Sequence, residues 1–218
     1  MIITGRNLML FDQDGNIKIQ QLFSYPNDNY QKLKEKALKC RRCQLREEAN
    51  GVVMGEGNLN NKIMLIGEGP GANEDRLGRP FVGRAGKLMD KILASVNLKR
   101  EDLYITNVIK CRPPGNRVPR QNEFEACVSI LRAEIELIKP KVIVTLGSTA
   151  TKYLINPEES ITNVRGKWFE RGDVFILPTF HPAYLLRNEK MKKYSWYDFK
   201  LIKKAADRIK KLSNSGKI

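Results

Sequence analysis

The segment KIMLIGEGPGANEDRLGRPFVG, residues 62–83, joins a short apolar run to a loop rich in glycine and proline. The apolar run, Lys62–Ile66, is typical of a strand that is covered on both faces of a sheet. The loop, residues 67–83, carries the carboxylates of Glu68, Glu74 and Asp75. Glycine lets such a loop approach a ligand closely, so the segment predicts a buried strand that ends at a binding loop.

Three further segments repeat the strand pattern: EDLYITNVIK (101–110), KVIVTLG (141–147) and DVFILPTF (173–180). Helical spacing of apolar residues separates them, and a last helix over 194–212 is predicted to bury a stripe that begins at Trp196. This alternation predicts an α/β fold, a three-layer α/β/α sandwich with a central, mainly parallel four-stranded sheet. Such sheets bind ligands at the carboxyl ends of their strands. We therefore expect the site in four loops, residues 67–83, 107–120, 147–151 and 180–187.

The first 29 residues differ from the rest of the chain. The segments NLMLF and IKIQQLF flank a DQDG turn sequence, which predicts a β-hairpin. We divide the chain into an N-terminal extension, residues 1–29, and one domain, residues 30–218. The N-terminus lacks the pattern of a secretory signal, and no apolar run approaches the roughly 20 residues of a membrane span. The expected protein is cytoplasmic and does not associate with membranes.

The chain is strongly basic, with 39 lysine and arginine residues against 24 aspartate and glutamate residues and a formal net charge of +15. Such a charge concentrates polyanions, of which nucleic acid is the commonest. A solvated lysine-rich surface of the kind found in heat-adapted proteins explains the charge equally well.

The four cysteines combine one C-x2-C pair with two distant residues: Cys40, Cys43, Cys111 and Cys127. In a reducing compartment four thiols indicate a metal site rather than disulfides. Four thiolates suit either zinc or an iron–sulfur cluster, and the spacing does not choose between the two.

The predicted loops also contain polar side chains suited to a neutral ligand. The loop at residues 67–83 has no GKS or GKT sequence, and its carboxylates would repel phosphate. His181, the only histidine of the chain, follows a strand and can donate a hydrogen bond to an oxygen that gains negative charge. Asn107 carries a donor and an acceptor that complement an imide edge, although it can also cap its own strand.

Together the four cysteines and three motifs resemble one family, the family 4 uracil-DNA glycosylases, which are the iron–sulfur-containing branch of their superfamily. The motifs are GEGPGANEDRLGRPFVGRAG, TNVIKCRPPGNR and HPAYLLR. The resemblance extends from Tyr30 to about Leu212.

The resemblance implies that uracil is flipped out of DNA into the predicted site. Phe81 would stack on the base, and Asn107 would pair with its N3 and O4 edge, which distinguishes uracil from cytosine. The backbone at Gly69 and the carboxylate of Glu74 would position the base. His181 would stabilise the departing uracil anion at O2.

The resemblance also implies roles in the chemistry, since cleavage of an N-glycosidic bond leaves an oxocarbenium-like sugar. Glu68 is assigned to stabilising that cation, and Asn116 to positioning the attacking water. In the classical branch of the superfamily an aspartate follows the residue that matches Glu68. Here Gly69 occupies that place, so the usual water-activating group is missing.

Four further residues are assigned to DNA. Leu185 matches the wedge that fills the gap left by the flipped base, and Arg187 matches a contact to a flanking phosphate. Arg112 and Arg117 are assigned to DNA binding, with plain surface charge as the alternative.

The cofactor implied by the resemblance is a [4Fe–4S] cluster held by the four cysteines, with zinc as the alternative. Its role would be structural, because hydrolysis of the bond needs no electrons. The expected substrate is uracil-containing DNA, single- or double-stranded, and the expected state is a monomer.

Two other functions are compatible with these residues. One is the same fold acting on other deaminated or mismatched bases, such as hypoxanthine or mismatched thymine. The other is a non-catalytic, metal-stabilised DNA-binding module, against which Glu68, Asn107 and His181 argue.

Overall fold

The structure is a computed structural model that describes residues 2–3, 29–156 and 158–215. The predicted β-hairpin, with its strands at residues 7–11 and 17–23, lies outside these described residues. The division of the chain between residues 29 and 30 stays a prediction. The strands are β1 (Ile2–Ile3), β2 (Glu56–Gly57), β3 (Ile63–Gly67), β4 (Tyr104–Asn107), β5 (Val142–Leu146), β6 (Trp168–Arg171) and β7 (Val174–Thr179).

The helices lie between and after these strands. They are α1 (Tyr30–Leu38), α2 (Leu45–Glu48), α3 (Ala72–Leu77), α4 (Arg84–Ser95), α5 (Gln121–Ile138), α6 (Gly147–Leu154), α7 (Ile161–Val164), α8 (Pro182–Arg187) and α9 (Lys192–Asn214). None of the helices in the described ranges is long and apolar enough to cross a bilayer.

The strands form one sheet in the order β1-β6-β7-β5-β3-β4-β2. The four central strands, β7, β5, β3 and β4, are parallel to one another, which confirms the predicted parallel centre. The structure adds short strands on both sides of this centre. β2 pairs antiparallel with β4 and forms one edge, while β6 pairs antiparallel with β7 and parallel with the edge strand β1. Two to four residues are too few to produce a recognisable period in a sequence.

Helices cover both faces of the sheet, as the three-layer prediction requires. In β3, Met64 and Ile66 belong to a core that includes Leu33 of α1 and Phe124 of α5. The alternate residues Ile63 and Leu65 belong to a second core with α4, α8 and α9. Successive side chains of a strand point to opposite faces, so each central strand joins both cores.

One helical face differs from the prediction. Trp196 does not begin a buried stripe, since 37% of its surface is exposed. The buried face of α9 instead includes Ser195, Asp198, Phe199 and Ile202. Asp198 is tolerated there because its carboxylate accepts hydrogen bonds from Thr179 and Arg165. With a polar residue on the inner face, the spacing of apolar residues does not show which face of the helix is buried.

Candidate active site

The carboxyl ends of the central strands bring the four predicted loops together. Gly67 at the end of β3 lies directly opposite Asn107 at the end of β4. A cavity of about 720 Å³ opens at this edge, and residues from all four loops line it. The predicted site residues in its lining are Glu68, Gly69, Glu74, Phe81, Asn107, Asn116, Arg117, His181 and Arg187.

Two predicted base-binding side chains meet over Gly67. A Cβ atom at this position would lie 2.5 Å from Asn107 Oδ1 and 2.5 Å from Phe81 Cζ, so only glycine fits. Asn107 is 2% exposed, and its Oδ1 has no hydrogen-bond partner among the described residues. A buried acceptor without a partner is costly. The site therefore holds an acceptor suited to a ligand's N–H group.

The backbone of Phe81 is held in an uncommon conformation by a residue that the sequence analysis missed. Phe81 has φ of 53°, in the left-handed region that non-glycine residues seldom adopt. Arg100 donates to the carbonyl oxygens of Phe81 and Pro80 at 3.0 and 2.7 Å. It also pairs with Glu56 and Asp90. No local sequence signal links Arg100 to a turn some 20 residues earlier in the chain.

His181 is placed at the cavity with its tautomer fixed. Its Nδ1 accepts a hydrogen bond from the backbone N–H of Ala183 at 3.1 Å. The proton of the neutral ring therefore resides on Nε2. Burial, and secondarily the positive charge of Arg187, lowers the pKa of His181 to about 4. The ring centroids of His181 and Phe81 lie 5.7 Å apart, so a neutral donor adjoins the aromatic face.

The three carboxylates of the first loop have different partners. Glu68 accepts a hydrogen bond from Thr149. Thr149 lies in one of the four predicted loops, but the sequence analysis assigned it no role. Glu74 accepts from the backbone N–H groups of residues 82 and 83 at 2.9 and 2.7 Å. Asp75 is buried and accepts twice from Asn50. Asp75 thus fixes the segment around Asn50, and Glu74 stabilises the turn that carries Phe81.

The predicted polar residues of the second loop are engaged with one another. Asn116 is exposed, and its Oδ1 accepts from Arg112 Nε at 2.8 Å. Arg117 donates two hydrogen bonds to Glu123 at 2.8 and 2.6 Å. Arg117 therefore anchors the start of α5 in this structure. Arg187 is exposed at the cavity and acts electrostatically on the histidine.

Leu185 occupies a different environment from the one its predicted role requires. It has no exposed surface and packs in the core shared with α4 and α9. A side chain in this position would have to leave the core before it could enter a base stack, so the wedge role of Leu185 stays a prediction that its burial does not favour. Leu186, the next residue of α8, is partly exposed.

The two leucines should respond differently to truncation. Leu185→Ala is expected to lower the free energy of unfolding by about 2–5 kcal/mol, because it leaves a cavity in a closed core. Leu186→Ala should change stability little. Urea titrations of the two variants test this, and a Leu185→Ala variant as stable as the unaltered protein would contradict it.

The four cysteines converge on a second, small cavity between the α1–α2 segment, the chain after β4, and α5. Burial and the neighbouring thiols raise the pKa of Cys111 to about 12. Burial raises the pKa of Cys127 to about 12 as well, and its Sγ accepts from the backbone N–H of Lys110 at 3.3 Å. In the described residues no three potential ligands are arranged for a metal ion. The convergence of all four thiols and an N–H donor to sulfur nevertheless suit a thiolate-bound group.

A buried ion pair connects the cysteines with the base site. Lys110 and Glu134 are 1% and 0% exposed, and their charged atoms lie 2.6 Å apart. Lys110 Nζ also donates to the carbonyl oxygen of Asn107 at 2.7 Å and to Thr106 Oγ1 at 2.6 Å. Glu134 Oε1 accepts from Tyr104 at 3.0 Å. Lys110 thus contacts the backbone of Asn107 with its side chain and a cysteine sulfur with its own N–H.

Comparison with known proteins agrees with this geometry. Residues 54–204 match the Uracil DNA glycosylase superfamily. The chain is 51% identical over 158 residues to a type-4 uracil-DNA glycosylase of Thermotoga maritima, covering 71% of this chain and 81% of the relative. It is 43% identical to the type-4 enzyme of Sulfurisphaera tokodaii, covering 82% of this chain and 86% of the relative. For that of Saccharolobus solfataricus the identity is 42%, covering 82% and 87%. The chain therefore belongs to the uracil-DNA glycosylase superfamily, and within it to the type-4 uracil-DNA glycosylases.

Proposed function

We propose that this protein flips uracil out of DNA and hydrolyses its N-glycosidic bond, leaving an abasic site for base excision repair. The observation that carries the proposal is the Oδ1 of Asn107 beside Phe81, which has no hydrogen-bond partner within residues 29–156 and 158–215. The N3–H group of uracil supplies the donor that this acceptor lacks. Cytosine presents an acceptor at N3, so it would leave Asn107 Oδ1 buried and unpaired, which is costly.

In this proposal Phe81 stacks on the extruded base, and His181 donates from Nε2 to uracil O2. As the bond between N1 and C1′ breaks, its electron pair moves into the base and negative charge grows on O2. A donor already oriented towards that oxygen stabilises the transition state more than the substrate. The hydrogen bond to Nδ1 and the lowered pKa suit a neutral donor for this step.

The sugar gains positive charge in the same step. The carboxylate of Glu68 is proposed to stabilise this charge, and the hydroxyl of Thr149 fixes its orientation. Gly69 supplies backbone next to the base, and Glu74 acts by holding the turn before α4. Asn116 remains the proposed residue for positioning water. For this, its Oδ1 must give up the hydrogen bond from Arg112 Nε or accept from Arg112 and the water together.

The DNA is proposed to be single- or double-stranded and to be bound by a monomer. Arg187 is proposed to contact a phosphate that flanks the flipped nucleotide, since it is exposed at the cavity. Arg112 and Arg117 contribute positive charge near the same edge, although each is engaged with a protein partner in this structure.

The activity is tested with an oligonucleotide that contains one uracil. The purified protein is incubated with it, abasic sites are cleaved by alkali, and the products are separated by length. Matched oligonucleotides that carry a mismatched thymine or a hypoxanthine in place of the uracil show whether the protein also releases these bases. Cleavage that requires uracil supports the proposal, and absence of product from a folded protein contradicts it.

We also propose that Cys40, Cys43, Cys111 and Cys127 hold a [4Fe–4S] cluster. The cluster would supply a covalent tie between α1–α2, the chain after β4, and α5. The fit rests on the convergence of the four thiols on one cavity and on the N–H donor to Cys127. Zinc is the alternative for the same four thiolates.

Elemental analysis and Cys111→Ala test this cofactor. Iron and inorganic sulfide in equal amounts, with visible absorption, are expected for the purified protein. Cys111→Ala should lose iron, melt at a lower temperature, and bind DNA more weakly as the loop at residues 107–120 loosens. Stoichiometric zinc without iron would contradict the cluster.

A further inference from the structure

Three aromatic side chains are exposed near the start of α9, two of them on either side of the buried Ser195. Tyr194, Trp196 and Tyr197, here called the α9 aromatic cluster, are 37%, 37% and 57% exposed. The rings of Trp196 and Tyr197 lie 5.2 Å apart at 63°. Exposed large aromatic residues in a group commonly mark an interaction surface.

The charges around the α9 aromatic cluster are those of a surface for polyanions. Lys200 Nζ lies 4.3 Å from the ring centroid of Trp196, and Lys193 Nζ lies 5.0 Å from that of Tyr194. Residues 188–200 contain two carboxylates, each ion-paired: Glu189 with Lys192, and Asp198 with Arg165. The exposed charge of this segment is therefore positive.

The α9 aromatic cluster is continuous with the rim of the active-site cavity. Arg165 lies between the two, 5.3 Å from the ring of Tyr194 and 5.6 Å from the ring of Phe180. Phe180 and Tyr184 line the cavity, and their rings are 5.0 Å apart. A strand leaving the cavity along this side would meet Tyr194 first. Tyr197 lies one helical turn beyond Tyr194, and its ring contacts that of Trp196.

We propose that Trp196 and Tyr197 form a stacking platform for unpaired bases that flank the flipped uracil, with Lys193 and Lys200 contacting their phosphates. The inference rests on the proposed glycosylase function and extends it to the path of the strand. Aromatic rings beside cations bind single-stranded nucleic acid because every base offers a face for stacking. In duplex DNA those faces are covered by neighbouring bases, so the platform acts on single strands.

The test compares substrate lengths in single-turnover assays under subsaturating protein. One uracil oligonucleotide is about 4 nucleotides long and fills little more than the cavity, and another is about 16 nucleotides long. The variant is Trp196→Ala/Tyr197→Ala. The matched control is Phe175→Ala, since Phe175 is also 37% exposed but lies at the amino end of β7, at the opposite edge of the sheet.

The double variant is expected to bind the long single strand about tenfold more weakly per stacked base, and to process the short one like the unaltered protein. The loss should be smaller on duplex. Lys200→Gln should lower the slope of log affinity against log salt by about one. Phe175→Ala should change neither the binding nor the processing of either substrate.

Other results would overturn the platform. If the double variant binds the long strand with unchanged affinity, the stacking platform is excluded, and the α9 aromatic cluster is left as a surface for another protein. Equal losses on both lengths would assign the residues to the fold or the cavity instead. Failure of the unaltered protein to release uracil from either substrate would contradict the proposed function itself, which separates the two conclusions.

Discussion

Replacing His181 with alanine is expected to slow uracil release about 10²–10³-fold in single-turnover assays. The change removes the Nε2–H donor at the oxygen that gains negative charge, while stacking on Phe81 and pairing with Asn107 remain. Affinity for uracil-containing DNA should therefore change far less than the rate. Comparable losses in rate and affinity would contradict the role assigned to His181.

His181→Gln is the matched control, because a glutamine amide can present an N–H donor in place of the ring. Part of the lost rate should return in this variant. A rate no better than that of His181→Ala, in a folded protein with unchanged affinity, would indicate that the imidazole acts other than as a hydrogen-bond donor.

The same histidine predicts a pH dependence. Its folded pKa is about 4, against an ordinary value near 6.5 in the unfolded chain. The neutral donor persists between pH 8 and 5, so the rate should show no step at the usual histidine pKa. As the pH falls from 6.5 towards 4, the unfolded state gains a proton that the folded state excludes, and the free energy of unfolding decreases. His181→Gln should lack this decrease, measurable by urea titration at several pH values.

Lys110→Met is expected to destabilise the fold by about 3–5 kcal/mol, because it leaves the Glu134 carboxylate buried without its cation. Lys110 also donates to the carbonyl oxygen of Asn107. Its loss should therefore raise KM for uracil-containing DNA in the fraction that stays folded. Urea denaturation and steady-state kinetics measure the two effects.

Lys110→Met/Glu134→Gln is the matched double variant. A neutral amide at position 134 can still accept from Tyr104 and from the backbone N–H of Gly55, which Glu134 Oε1 binds at 3.0 Å each. The double variant should be more stable than Lys110→Met alone, since no unpaired charge remains. A double variant as unstable as the sum of both single changes would mean that the pair does not act as a unit.

Much of the central sheet follows from local patterns. Lys62–Ile66 and residues 141–147 are short, apolar runs, and such runs are typical of strands covered on both faces. The short strands β2 and β6 have no such signal, because they contain only two and four residues and are only partly buried. The prediction for Trp196 was wrong for a different reason. A helical period alone does not show that a polar residue such as Asp198 is buried with hydrogen-bond partners of its own.

The site divides in the same way. His181, Asn107 and Phe81 stand out in their motifs, and the motifs indicate the family. Arg100 and Thr149 carry no local mark, yet one holds the backbone of Phe81 and the other the carboxylate of Glu68. Leu185 fits its motif, but its burial depends on α4 and α9, which are remote in sequence.

The sequence by itself determined the order of the four central strands and the helices between them, the four loops of the site and the family, because periodicity and motif spacing are properties of neighbouring residues. Only the tertiary structure decided which leucine of α8 is exposed, which carboxylates already have partners and how Lys110 links the cysteines to Asn107. Those features depend on contacts between segments far apart in the chain, and local patterns do not specify which polar groups will meet when the chain packs.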